Sequence, residues 1–167
     1  RTLDMKRKNK LSLLSLAFVL MLCMLFLNGC GSEPELSETA EEVNSNIGIS
    51  DIQLGMEEKA VIELLGEDFE KSPCIIGYEY AYSDPDINLG IDIDAMCVKR
   101  ITSRSPECTV YSIPVGIKCT EGAEILYEND FENDGDSKFK FVREDVRITM
   151  LSADGEAADG FTVELIS

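Results

Sequence analysis

The sequence predicts an α+β fold of two tandem units, each a helix followed by a three-stranded antiparallel meander, behind a lipoprotein signal peptide. Three observations predict it. Apolar features recur at an offset of 61 residues, segments of two-residue alternation fall between turn signals, and the first thirty residues have the order of an export signal.

The recurrence has four parts. Ile52-Gln53-Leu54-Gly55-Met56 matches Ile113-Pro114-Val115-Gly116-Ile117, and Leu64-Leu65 matches Ile125-Leu126. Tyr78-Glu79-Tyr80-Ala81 matches Phe139-Lys140-Phe141-Val142, and Ile87 and Leu89 match Ile148 and Met150. Gly55 and Gly116 mark tight turns. Ala60, Val61, Leu64 and Leu65 fall on one side of a helix expected over 57–65, with Gly66 as its stop. In the second unit Thr120 is the expected N-cap of a helix reaching about Tyr127.

Strands follow. Ile76, Tyr78, Tyr80 and Tyr82 alternate with smaller or polar residues, Asp84-Pro85-Asp86 makes a turn, and Ile87, Leu89, Ile91 and Ile93 alternate next. A third strand runs over 97–103; the second unit supplies 138–143, 146–151 and 161–166. Such alternation gives each sheet one buried and one wet face. Each helix should cover the apolar face of its own meander, and the units either join sheets or pack side by side. The expected divisions are 1–29 (signal), 30–47 (lipidated cysteine and disordered acidic tether), 48–107 (first unit) and 108–167 (second unit).

The export signal reads as follows. Lys6, Arg7, Lys8 and Lys10 precede an apolar run, Leu11 to Leu27, interrupted by Ser12 and Ser15. Leu27-Asn28-Gly29-Cys30 then offers an apolar residue three places before a cysteine and a small one just before it. That pattern makes Cys30 the lipidated first residue of the mature chain. At Cys23 the preceding Leu22 is too large for cleavage. A membrane-spanning helix would need about 20 apolar residues, more than this run holds. Arg1 to Asp4 fit no export signal, and Met5 reads as its start. Two or three acyl chains anchor stably, so the expected location is the extracytoplasmic face of a cell membrane. Gly31 is not the aspartate that retains lipoproteins at a Gram-negative inner membrane, and the basic, leucine-rich signal looks Gram-positive.

After residue 29 the chain has 138 residues, with 10 basic against 31 acidic side chains, a net charge of −21. Such a surface repels nucleic acid and anionic headgroups. Cys74, Cys97, Cys108 and Cys119 follow Cys30; an even number outside the cytoplasm suggests disulfides, Cys108 with Cys119 and Cys74 with Cys97, with buried free thiols as the alternative. With no histidine, the usual base at neutral pH is missing, and no nucleophile elbow or phosphate loop appears. The expectation is a non-catalytic protein.

The stretch Gly55-Met56-Glu57-Glu58-Lys59-Ala60-Val61-Ile62-Glu63-Leu64-Leu65-Gly66, followed by Tyr78-Glu79-Tyr80 and an apolar strand, resembles the SmpA/OmlA envelope lipoproteins. Their pattern is a Gly-Met turn, a helix ending Leu-Leu-Gly, a Tyr-x-Tyr strand and a meander. Two such units in tandem resemble the β-lactamase inhibitor protein (BLIP-like) architecture, over residues 49–167. Asp68 stands where the family carries proline, and Tyr127 replaces the glycine in the second unit. The resemblance implies a protein that binds other proteins, in envelope assembly or enzyme inhibition.

Two surfaces are candidate sites. The wet sheet face should show Glu79, Ala81, Asn88, Gly90 and Asp92 from one unit, and Lys138, Lys140, Thr149, Leu151, Thr162, Glu164 and Ile166 from the other. Tyr78 and Tyr80 are expected in the core and Tyr82 exposed. The stretch Asp130-Phe131-Glu132-Asn133-Asp134-Gly135-Asp136 resembles the start of a calcium loop, with Asp130, Glu132, Asp134 and Asp136 as oxygen donors. Phe141 stands where the closing bidentate glutamate would be, and an acidic connecting loop is the plainer reading. The corresponding function would be a surface calcium or cationic-ligand binder.

Overall fold

The computed structural model describes residues 35–135 and 137–166; the expected signal, Cys30 and Asp136 lie outside them. In chain order come α1 (Glu38–Ser45), β1 (Ile47–Gly48), α2 (Glu58–Leu65), β2 (Glu70–Cys74), β3 (Gly77–Ser83), β4 (Asp86–Asp92) and β5 (Val98–Ser103). Then follow β6 (Thr109–Val110), β7 (Ile113–Pro114), α3 (Cys119–Glu128), β8 (Glu132–Asn133), β9 (Lys140–Arg143), β10 (Val146–Leu151) and β11 (Gly160–Leu165). Eight strands form one antiparallel sheet ordered β2-β3-β4-β5-β11-β10-β9-β8, and β1-β6-β7 form a small second sheet. The class is α+β, as the sequence predicts.

Period-two alternation decides which face is buried. Tyr80, Tyr82, Ile87, Leu89 and Ile91 point inward from β3 and β4; Phe161 and Val163 do so from β11, Ile148 and Met150 from β10, and Phe141 from β9. The helices cover this one face. Val61 of α2, Leu126 of α3, and Ala40 and Val43 of α1 join the same buried cluster. Gly122 lets α3 come close: a Cβ there would meet Met150 Sδ at 2.8 Å.

Each half is a helix followed by four strands, not three. The extra strands, β2 and β8, are short edges whose sequences lack apolar alternation, so periodicity did not reveal them. The halves also share backbone contacts. Glu58 N–H donates to the Met96 carbonyl, and Cys119 N–H to that of Glu156. Gly55 N–H donates to Val98, and Gly116 N–H to Ala158. Both glycines have positive φ, 79° and 91°, a conformation open to glycine at little cost. The spacing between matching residues is 61 at these helix starts and 60 for the carbonyls they meet.

The tether expectation needs correction. Residues 38–45 are helix α1, capped by Ser37, whose Oγ accepts from the Ala40 N–H at 3.0 Å and donates to Asp145 at 2.7 Å. Glutamates dominate its outer side, which made the segment look unfoldable, yet Thr39, Ala40 and Val43 bury the other. Tyr82 is also corrected: it is 3% exposed and donates its hydroxyl to the Gly66 carbonyl.

Replacing Ser37 by Ala removes the cap and should cost about 1 kcal/mol; Val43→Ala should cost about 2 kcal/mol. Urea unfolding checks both. A free tether would make both changes silent.

Candidate functional site

With the described helices on one face, the other face of the eight-stranded sheet is bare among the described residues, and strand register lays its residues in two rows. The first runs Ala81, Asn88, Thr102, Thr162, Thr149, Lys140, each directly opposite the next. At its centre the hydroxyls of Thr102 and Thr162 are 2.9 Å apart and bridge β5 to β11. The second runs Glu79, Gly90, Arg100, Glu164, Arg147, Val142.

Charges in the second row alternate and pair. Arg100 donates to Glu79 at 2.9 Å, Arg147 donates to Glu164 at 3.2 Å, and Arg147 Nε lies 3.5 Å from Asp134 Oδ2. These groups are part-buried, so their mutual attraction is screened less than at an open surface. Gly90 is needed here for space. A Cβ would meet Ile76 Cδ1 at 2.7 Å, because Ile76 lies over it. The face therefore offers small hydroxyl and amide side chains beside charges that already hold one another.

Of the residues expected on this face, Glu79, Ala81, Asn88, Gly90, Lys140, Thr149, Thr162 and Glu164 lie in the two rows, and Leu151 lies opposite Gly160 at the end of β10. Three lie at or beyond the strand ends. Asp92 accepts the N–H groups of Asp94 and Ala95 and pairs with Lys99 at 3.3 Å, so it caps the β4–β5 turn. Those donors, the Ala95 N–H first, hold its carboxyl below the usual range. Lys138 precedes β9 in a turn and sits over the Phe139 ring at 4.7 Å. Ile166 lies past the end of β11.

Sequence reasoning missed Arg100, Thr102 and Arg147. A bulge between Gly90 and Ile91 puts an extra residue in β5, so Val98 and Ile101 are both inward though three apart. That breaks the alternation which would have placed Arg100 and Thr102 outward.

Among the described residues the donors of the acidic stretch do not converge. Glu132 pairs with Val142 in the sheet, and Asp134 turns to Arg147. Asp130 ends the turn after α3, and no group of three or more metal-binding side chains converges among the described residues. Asp136 lies outside them.

Cys74, Cys97, Cys108 and Cys119 are free thiols, so neither expected disulfide is formed in the structure. Cys108 and Cys119 are both buried, one in the loop before β6 and the other opening α3. Burial pushes the Cys108 thiol up to about 11, which disfavours the nucleophilic thiolate.

Polar clusters close the covered face at both edges. Tyr80 donates to the Glu58 carboxylate and accepts from Lys71 at 2.9 Å. At the other edge Arg143 donates to Glu42 at 2.6 Å and to the Asn129 carbonyl at 2.9 Å, while Tyr111 donates to Glu42 at 3.2 Å. An open depression of about 710 Å³ beside α1 is lined partly by Glu35, Glu41, Leu36 and Met56. Comparison with protein-family models, with curated proteins and with solved structures finds no match to this chain.

Two measurements test the buried groups. Burial raises Cys108 from 9.0 to about 11 and Tyr111 from 10.0 to about 12. The folded chain keeps protons that the unfolded chain gives up, so this stability is whole below pH 9 and drains as pH climbs towards 12. Tm measured from pH 8 to 11 should fall, and Tyr111→Phe should flatten the upper part of the curve. Alkylation mapped by mass spectrometry should modify Cys74 first and the three buried thiols after unfolding; loss of reactive thiols in denaturant would instead reveal disulfides.

Proposed function

We propose that this chain is a membrane-anchored, extracytoplasmic lipoprotein of non-catalytic function, and that it binds another envelope or extracellular protein through the bare face of its sheet. The observation that carries the reading is the one-sided cover. The described helices gather on one face, while the other is continuous across eight strands and carries no described helix. A partner meeting the threonine row finds short side chains, so its backbone can come close. The neighbouring charges keep their own partners, so little new desolvation is asked of them.

The lipobox supports the location: Leu27 and Gly29 frame Cys30, with a basic and then apolar run before it. A duplicated, SmpA/OmlA-like and BLIP-like unit is supported by the matching segments, by helix-then-strands order in both halves, and by the paired contacts at Gly55 and Gly116. An anchor that fixes the domain near one surface raises the effective concentration of any partner held there.

A photo-crosslinking amino acid at Thr102 or Thr162, in cells making the full chain, should give a discrete adduct. The same group at the exposed Lys59 of α2 should not. Thr162→Lys should remove the adduct formed from position 102 and leave Tm nearly unchanged. Equal labelling from both faces would defeat the reading. Cys30→Ser should abolish palmitate labelling and release the chain from the membrane.

A further inference from the structure

One end of the eight-stranded sheet carries an apolar rim that the fold does not use. There the β2–β3 and β4–β5 turns lie side by side, joined by the Ile93 N–H donating to the Ile76 carbonyl at 3.0 Å. Ile75 is fully exposed on the first turn, and Ile93 and Met96 are exposed on the second. Strand β11 runs antiparallel to β5 and so finishes at this end, where exposed Ile166 follows it. These are four of the six large apolar side chains exposed among the described residues; the other two, Leu64 and Tyr127, sit on helices.

Turn geometry does not demand this. The corresponding turn of the second half lies at the opposite end of the sheet and reads Ser152-Ala153-Asp154-Gly155-Glu156. Glu156 there occupies the place of Met96, since each offers its carbonyl to the first N–H of a helix. The β2–β3 and β4–β5 turns and the end of β11 thus expose four large apolar side chains, with exposed Asp94 between Ile93 and Met96 and with Glu144 and Asp145 in the β9–β10 turn at the same end, while the β10–β11 turn at the opposite end exposes none. A cluster of exposed isoleucines is costly in water unless something covers it.

The chain also comes into the fold at the apolar end. Leu36 lies against Gly55, where a Cβ would meet its Cδ1 at 3.0 Å, and Gly55 donates to Val98 at the start of β5. Ser37 bonds to the Asp145 carboxylate, and the Asp145 carbonyl accepts the Ile166 N–H. Five residue steps link Glu35 to Cys30 and reach at most about 18 Å.

We infer that the rim of Ile75, Ile93, Met96 and Ile166 seats in the apolar boundary of the same bilayer that holds the lipid on Cys30. The inference rests on the lipoprotein reading. The rim is made of protruding turn tips and a strand end, a shape suited to lipid and not to holding a ligand. Weak insertion suffices, because the short link keeps the rim beside the bilayer and the acyl chains supply the anchoring. The strands then stand along the membrane normal and the bare sheet face looks sideways.

The test uses the full chain, processed in cells, purified and reconstituted into phosphatidylcholine vesicles containing a diazirine-bearing phosphatidylcholine. After illumination, lipid adducts should concentrate on the peptides holding Ile75 and Ile93–Met96 and be absent from α3. The surface variant Ile75→Asp/Ile93→Asp should lower these adducts on the order of ten-fold or more. The intact mass of the same sample reports the lipid on Cys30. Lipid on Cys30 with adducts absent from the rim, or spread evenly over the domain, overturns the inference and spares the lipoprotein reading. A chain without lipid on Cys30 overturns both.

Discussion

The pairing of β5 with β11 is the contact on which the rest of the structure depends. Without it each half would be a four-stranded meander with one helix and two open edges. With it, eight strands share one plane, and the inward residues of both halves face a single core. Ile101 meets Val163 and Ser103 meets Phe161 across the seam on the buried side, while Thr102 meets Thr162 on the bare side. The helices of both halves therefore cover the same face, and no described helix lies on the opposite one.

Closing that core takes more than apolar contact. At one edge Tyr80 brings its ring inside and its hydroxyl to Glu58 and Lys71, with Phe69 stacked at 4.2 Å. At the other edge Arg143 lies over the Phe131 ring at 5.1 Å and reaches Glu42 of α1. Both arrangements bury the body of a long side chain and leave its polar tip satisfied at the rim. Helix α1 thus replaces solvent at the second edge, which is why a glutamate-rich segment folds at all.

Among the described residues the uncovered sheet face and the exposed apolar rim are two separate surfaces of the same eight-stranded sheet. The face carries small residues beside charges that already pair, and one end of the sheet carries four exposed apolar side chains. The full chain carries a net charge of −17, which disfavours contact with other acidic surfaces.

Much of this was legible in the residues. Alternation placed β3, β4, β10 and β11 to within a residue or two, and the apolar stripe of 57–65 with Gly66 placed α2, because local pattern and burial agree there. The tertiary structure decided the rest, where long-range contact overrides local pattern. It made 38–45 a helix through residues more than a hundred positions away, gave each half an edge strand without alternation, and paired Asp134 with Arg147. It alone joined the halves into one sheet, since strand pairing depends on edges that no single segment of sequence describes.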